Sequence, residues 1–334
     1  MNKHILTRRR WLQAGGALAL SAPMLPQASH ASEAWPSKPV RFIVPFTPGQ
    51  GSDVLARLTS ERLAPLWKQN VLVDNKPGAN GAIAVAETTR SAADGHTVLV
   101  TSNSPIVINP NLYRKLPYAP ATDLKPVTLA AWADLAIVVN PQVPARTLPE
   151  LVALLKANPD KYSFGSPGTG STSHITMELL MQIAGVKMVH VPYKGSGPAM
   201  TDLIAGNIQL MTDALPSARA HIASGRIRAL CVTGERAASV MPELPTAPSQ
   251  GISGLPAGGW YGFFVPAGTP ATVVERLDAD VRRTIFSEEF QSRMKSLGLS
   301  SVPEGTPAAF ADFLQRDTAF WERTTRSLGL YQTV

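Results

Sequence analysis

The chain has 334 residues, 44% of them hydrophobic, enough for two α/β domains and a substantial core. Its formal net charge is +7, but Lys3, Arg8, Arg9 and Arg10 all lie in the first ten positions; without them 27 basic residues face 24 acidic ones, a charge of +3. No basic run or RNA-binding aromatic motif remains, which argues against a nucleic-acid partner.

In chain order, the first predicted element is an export signal. A basic start is followed by an apolar stretch from Trp11 to about Leu25 and by the small residues Ser29-His30-Ala31. The run Thr7-Arg8-Arg9-Arg10-Trp11-Leu12-Gln13 resembles a twin-arginine motif, and an ordinary secretory signal with extra arginines is the alternative. Gly15, Gly16 and Pro23 break the apolar stretch, which is too short for a membrane span. The signal is assigned to residues 1–31, with cleavage near 31–34, so the mature protein is expected to be exported and free of membrane spans.

Beyond it, short apolar runs alternate with amphipathic segments. Strands are predicted at Val40–Val44, Val71–Val73, Val98–Thr101, Leu135–Val139, Tyr162–Phe164, Met188–Val191, Ile208–Met211, Ala229–Val232 and Gly262–Val265. One helix opens at Asp53 and must kink or end near Pro65. A second carries Ile175, Leu179, Leu180 and Ile183 on one face, and a third runs from Pro198 to Gly206. The last places Phe310, Phe313, Leu314, Phe320, Trp321 and Leu328 on a stripe expected to dock on the core. The single cysteine, Cys231, lies in an apolar run and reads as a buried structural thiol.

This β/α alternation predicts parallel-type sheets covered by helices. Two extended stretches, 127–141 and 256–266, read as crossings between domains. Residues 35–130 and 263–334 then form one discontinuous domain, and 137–255 the other. Two crossings leave a cleft at the hinge, beyond the carboxyl ends of the strands.

Two glycine-rich elbows lie at such ends: Pro45-Phe46-Thr47-Pro48-Gly49-Gln50-Gly51-Ser52-Asp53 and Gly165-Ser166-Pro167-Gly168-Thr169-Gly170-Ser171-Thr172-Ser173-His174. Each leads from a strand into a helix, so free N–H groups and the helix dipole favour an anion there. Thr47, Gly51 and Ser52 are the candidate contacts in the first elbow, and Ser166, Thr169, Gly170 and Ser171 in the second. Asp53 reads as an N-cap that orients the elbow or meets a ligand group. His174 serves either structure or ligand, Tyr193 lids the pocket or packs, and Asp213 either faces the cleft or caps the next helix. Trp260 reads as hinge core.

The second elbow spaces like a phosphate-binding loop, but the lysine that should follow Gly170 is Ser171. No Gly-x-Ser-x-Gly or His-Glu-x-x-His pattern occurs there, so no metal, cofactor or catalytic residue is expected. A periplasmic serine hydrolase using Ser171 and His174 is the alternative of another class.

Taken in order, these residues resemble the Bug-type extracytoplasmic solute-binding receptors of tripartite tricarboxylate transporters (TctC-like). The resemblance rests on Trp35-Pro36-Ser37-Lys38-Pro39-Val40, the first elbow, Asn75-Lys76-Pro77-Gly78-Ala79-Asn80-Gly81, Asp94-Gly95-His96-Thr97, the second elbow, His190-Val191-Pro192-Tyr193-Lys194-Gly195, Gly225-Arg226-Ile227-Arg228-Ala229-Leu230, Pro242-Glu243-Leu244-Pro245-Thr246 and Pro266-Ala267-Gly268-Thr269-Pro270. It implies a two-domain type II (Venus-flytrap) periplasmic-binding-protein fold, α/β with two crossover strands at the hinge. It implies a monomeric receptor that grips a small carboxylated ligand (organic acid, amino acid or aromatic acid) between the two elbows. The implied partners are the membrane subunits of a tripartite transporter, or a sensor kinase. Gln50 departs from the family pattern, which has Gly there, and Trp132 and Thr212 depart as well.

Overall fold

The computed structural model describes residues 35–303 and 305–334; the export signal assigned to 1–31 lies outside them. Nine strands alternate with helices in the order β1 (Val40–Val44), α1 (Gly51–Trp67), β2 (Val71–Asn75), α2 (Ala82–Thr89), β3 (Thr97–Ser102), α3 (Asn109–Leu112), α4 (Pro120–Asp123) and β4 (Leu124–Val139). The chain continues through α5 (Leu148–Ala157), β5 (Ser163–Ser166), α6 (Thr172–Ala184), β6 (Val189–Pro192), α7 (Ser196–Ala205), β7 (Leu210–Ala214), α8 (Leu215–Ala223) and β8 (Arg228–Val232). It closes with β9 (Gly258–Pro266), α9 (Ala271–Ile285), α10 (Glu288–Ser296) and α11 (Pro307–Ser327).

The strands form one curled mixed sheet in the order β2-β1-β3-β9-β4-β7-β5-β6, with β8 also paired to β4. β1 is parallel to β2 and β3, and β5 is parallel to β6 and β7, as the helical connections between them require. The two parallel groups meet through the antiparallel pair β4 and β9, which runs from Leu124 opposite Pro266 to Asp134 opposite Gly258 with register shifts at Pro126/Thr128 and Leu129/Ala131. Beyond Asp134, β4 leaves β9 and runs between β7 and β8. This sixteen-residue strand belongs to both halves; the sequence marked its last five residues as a strand within an extended crossing at 127–141. The fold is thus α/β and two-domain, with two crossover strands at the hinge.

Helix starts differ from expectation in two places that matter. α1 begins at Gly51 rather than Asp53, and its N-cap Gln50 makes no side-chain cap. Pro65 falls in its last turn, and the helix ends two residues later with Lys68 left-handed at φ 52°. α7 begins at Ser196, so Pro198 sits inside its first turn, where the missing N–H costs nothing. Gly206 closes it at φ 83°.

The C-terminal stripe docks as its spacing predicts: Phe310 and Trp321 are buried, and Phe310 meets Trp260 edge-on at 5.4 Å. Phe320 is the exception and is exposed. Trp260 is core, its Nε1 donating to Asp317 Oδ2 at 2.7 Å. Trp132 packs edge-on to Phe313 at 5.7 Å under the Arg236 guanidinium. Cys231 is buried, and burial pushes its thiol up to about 12. Among the described residues no helix is long and apolar enough to cross a membrane, and no cluster of side chains suits a metal.

Candidate functional site

The first elbow leaves β1 and is held from behind. Gly49, at φ 85°, donates its N–H to Asp53 Oδ2 at 2.9 Å. Asp53 also accepts from Asn75 Nδ2 and from Arg57 Nε, each at 3.0 Å, and is buried. It is therefore not the N-cap: it stands at the third helical position and reaches back to the loop, the role an acidic residue plays in a capping box. The first amides of α1, left without a cap, keep their donors for the cleft. Ser52 Oγ, fully buried, has no partner either. Gly51 lacks a side chain for a steric reason, since a Cβ there would lie 2.1 Å from the Tyr261 hydroxyl on β9.

The second elbow is braced by two stacked imidazoles. The Ser171 hydroxyl caps α6 by accepting the His174 N–H at 3.2 Å. His174 Nδ1 accepts the Gly170 N–H at 3.2 Å, so its proton sits on Nε2, facing Glu178 at 3.3 Å. His190 stacks on His174 with ring centroids 4.0 Å apart and meets Ser166 Oγ through Nε2 at 2.7 Å. Burial first, and then the neighbouring His174, lower His190 to about 3. Gly170, at φ 81°, packs toward Leu112, Asn80 and Asn109 of the first half. Ser166, Gly170 and His174 thus shape the elbow from behind.

A third polar turn, missed in the sequence, follows β3. Ser104 Oγ accepts the Thr172 N–H at 3.1 Å and bonds Thr172 Oγ1 at 3.1 Å; Thr172 Oγ1 in turn donates to Asn103 Oδ1 at 2.9 Å. The carboxamide is pinned by its oxygen, and Asn103 Nδ2, buried, has no partner. The signal was present: an apolar strand runs into Ser102-Asn103-Ser104-Pro105, the same strand-to-polar-turn grammar as the elbows, without glycine.

Asp213 closes the fourth side. It lies within β7, opposite Ala136, and the N-cap of α8 is Ala214, so Asp213 is not the cap of that helix. Ser196 Oγ donates to Asp213 Oδ1 at 2.7 Å and Ser217 Oγ to Oδ2 at 2.5 Å. Burial raises this carboxyl to about 6. Gln50 Nε2 donates to Ser196 Oγ at 3.1 Å, which ties the first elbow to the opposite half.

These groups surround a cavity of about 50 Å³ whose lining includes Gln50, Gly51, Ser52, Asn103, Ser171, Thr172, Asp213 and Tyr261. That volume holds roughly three to five waters. Among the described residues no lysine, arginine or histidine lines it. The N-termini of α1 and α8, which carry no side-chain cap, and the capped N-terminus of α6 contribute the positive potential instead. Of the sequence candidates, Gly51, Ser52, Ser171 and Asp213 meet at this cavity. Thr47 does not line it but donates to Oε1 of Gln50, which does, at 3.2 Å. Thr169 and Tyr193 line a neighbouring cavity of about 340 Å³, where the Tyr193 hydroxyl donates to Asp202 at 2.7 Å. Trp132 and Thr212 do not line the central cavity. A Ser171–His174 dyad is not assembled: the imidazole Nδ1 is spent on Gly170 and its Nε2 on Glu178.

Residues 55–330 match the family described as tripartite tricarboxylate transporter family receptor. The protein BugT of Bordetella pertussis is 32% identical over 303 residues, covering 90% of this chain and 92% of that one. Among solved structures, an R. palustris protein with adipate superposes with a TM-score of 0.86 at 31% identity, covering 88% of this chain and 98% of the other. The periplasmic binding protein BugD superposes with a TM-score of 0.84 at 32% identity, covering 89% and 99%.

Proposed function

The chain belongs to the tripartite tricarboxylate transporter receptor family, and from that premise we propose that it captures a carboxylate-bearing small molecule in the cleft and delivers it to the membrane subunits of such a transporter. One observation carries the ligand class: Ser52 Oγ and Asn103 Nδ2, both buried and unpartnered, share one cavity with uncapped helix amides. Buried donors without partners are costly, and an anion's oxygens satisfy several at once. The adipate complex of a relative supports the same class.

Capture is proposed to proceed by closure of residues 137–255 onto 35–130 and 263–334 about the β4/β9 pair, with the ligand favouring the closed form by its differential affinity. Periplasmic placement rests on the basic-apolar-small segment at the N-terminus and on the periplasmic relative BugD; a twin-arginine route is tested by replacing Arg8 and Arg9 with Lys and following export.

The test of function is a thermal-shift and calorimetric screen of organic acids on the mature protein. An acid at 100 times its Kd adds about 2.7 kcal/mol of stability. Ser52→Ala and Asn103→Ala should each weaken binding about tenfold, for a lost charge-assisted hydrogen bond of roughly 1.5 kcal/mol. A broad panel with no stabilising acid defeats the reading.

A further inference from the structure

The cavity contains one group at odds with simple anion capture. Asp213 lies on its wall, the one acidic side chain in a lining of apolar and neutral polar residues that, among the described residues, holds no lysine, arginine or histidine. A carboxylate facing an anionic ligand repels it, so the residue needs a reason to be there. Structural service to its own half does not supply one. The hydroxyls of Ser196 and Ser217, from its own half, already donate to its two oxygens, yet Asp213 still lines the cavity.

A carboxylate has about four lone-pair sites. Ser196 and Ser217 occupy two, and the Ala214 backbone a third. One acceptor site is left, and Asp213 lines the same 50 Å³ space as Ser52 and Asn103, which carry the unpartnered Oγ and Nδ2. In so small a volume, the acceptor and the donors can be a few bonds apart on one ligand.

Resting on the cleft reading above, we propose that Asp213 is a specificity-determining residue, selecting short acids that carry a hydrogen-bond donor, a hydroxyl or an ammonium, close to the carboxylate. The carboxylate takes the helix amides with Ser52 and Asn103; the donor group takes Asp213. A ligand without that donor leaves the last acceptor site of a buried carboxylate unfilled, and sites built around a buried polar partner reject such analogues. Ser196 and Ser217 hold the carboxyl in place from two helices, so it cannot turn away from a ligand that fails to pair with it.

The test is titration calorimetry on the mature protein with succinate, L-malate, L-aspartate and adipate. The first three share a four-carbon diacid skeleton and differ in having no donor, a hydroxyl or an ammonium. Malate or aspartate should bind at least tenfold more tightly than succinate, and Asp213→Asn should shrink that ratio at least threefold. A preference for aspartate alone identifies the ammonium as the donor, and a preference for malate the hydroxyl. Succinate binding within threefold of both overturns the proposal on the wild-type protein alone, whether or not the variant folds. So does a preference that survives Asp213→Asn unchanged. If adipate binds and Asn103→Ala weakens it while none of the four-carbon acids binds, this proposal falls and the cleft reading stands. If Ser52→Ala and Asn103→Ala leave every acid unaffected, or none binds, both fall.

Discussion

Gln50 and Ser196 lie 146 positions apart and join the two halves by a hydrogen bond of 3.1 Å from Nε2 to Oγ. The bond continues to Asp213, since Ser196 donates onward to its carboxylate at 2.7 Å. Thr47 donates to the other end of the same carboxamide and fixes its orientation. A side chain of the first elbow thereby touches the acceptor wall of the second half while standing at the mouth of the cavity.

Replacing Gln50 by Ala should therefore loosen the closed form without unfolding the protein. A hydrogen bond of this type contributes about 0.5–1.5 kcal/mol net, so the closed-to-open ratio should fall roughly two- to twelvefold. Paired spin labels on the two halves should report a longer mean distance in the ligand-free variant. An unchanged distance distribution would mean the bond does not hold the halves together.

The elbows were legible because the strand–glycine–helix grammar is local. What lay in the bonds between segments was not. Tyr261 reaches Gly51 only because β9 pairs with β3 and β4, a relation spanning two hundred residues that no periodicity reports. Ser196 stands two residues ahead of the helix expected to open at Pro198, until the start of α7 places it beside Asp213. Asp53 shows the converse limit. Its residue type was right for a helix start, but an uncapped Gln50 moved the start two residues earlier and turned Asp53 into a brace for Gly49.

Gly51→Ala tests the close approach of α1 to β9. The new Cβ would stand 2.1 Å from the Tyr261 hydroxyl and 2.5 Å from Cζ, and Tyr261 is buried and cannot swing clear. Forcing an atom into a packed site costs typically 1–3 kcal/mol. A lower melting temperature and weaker acid binding are expected together, because the displaced element is the one that carries the free amides. A fully wild-type melt would contradict the packing.

Asp213 gives stability an unusual pH dependence. Its folded value of about 6 stands above the ordinary 3.8, so the folded protein binds the proton more tightly than the unfolded chain does. Below about pH 4 both states are protonated and the group contributes nothing. As pH rises through about 6, the folded state bears a buried charge that costs about 3 kcal/mol at neutrality. Urea denaturation from pH 4 to 7 should show wild type losing stability relative to Asp213→Asn as pH rises. A parallel pair of profiles would rule out the buried charge.

His190 acts in the opposite sense, at the other elbow. Its folded value of about 3 lies below the ordinary 6.5, because burial and the stacked His174 both oppose a second charge. The unfolded chain then binds the proton more readily, and the contribution is present above pH 6.5 and lost progressively as pH falls toward 3. Protonation also removes the Nε2 lone pair, so His190 could no longer accept a hydrogen bond from Ser166 and would be left to donate one. His190→Gln keeps a polar partner for Ser166 but cannot titrate. As pH falls from 6.5 to 4, wild type should lose stability relative to His190→Gln, read by urea denaturation; the variant itself, with the Asp213 effect unopposed, should gain stability over that range. Because the Asp213 effect runs the other way in the same range, the double variant Asp213→Asn/His190→Gln should be flatter than either single one. Curvature that persists in the double variant would assign the acid sensitivity to other groups.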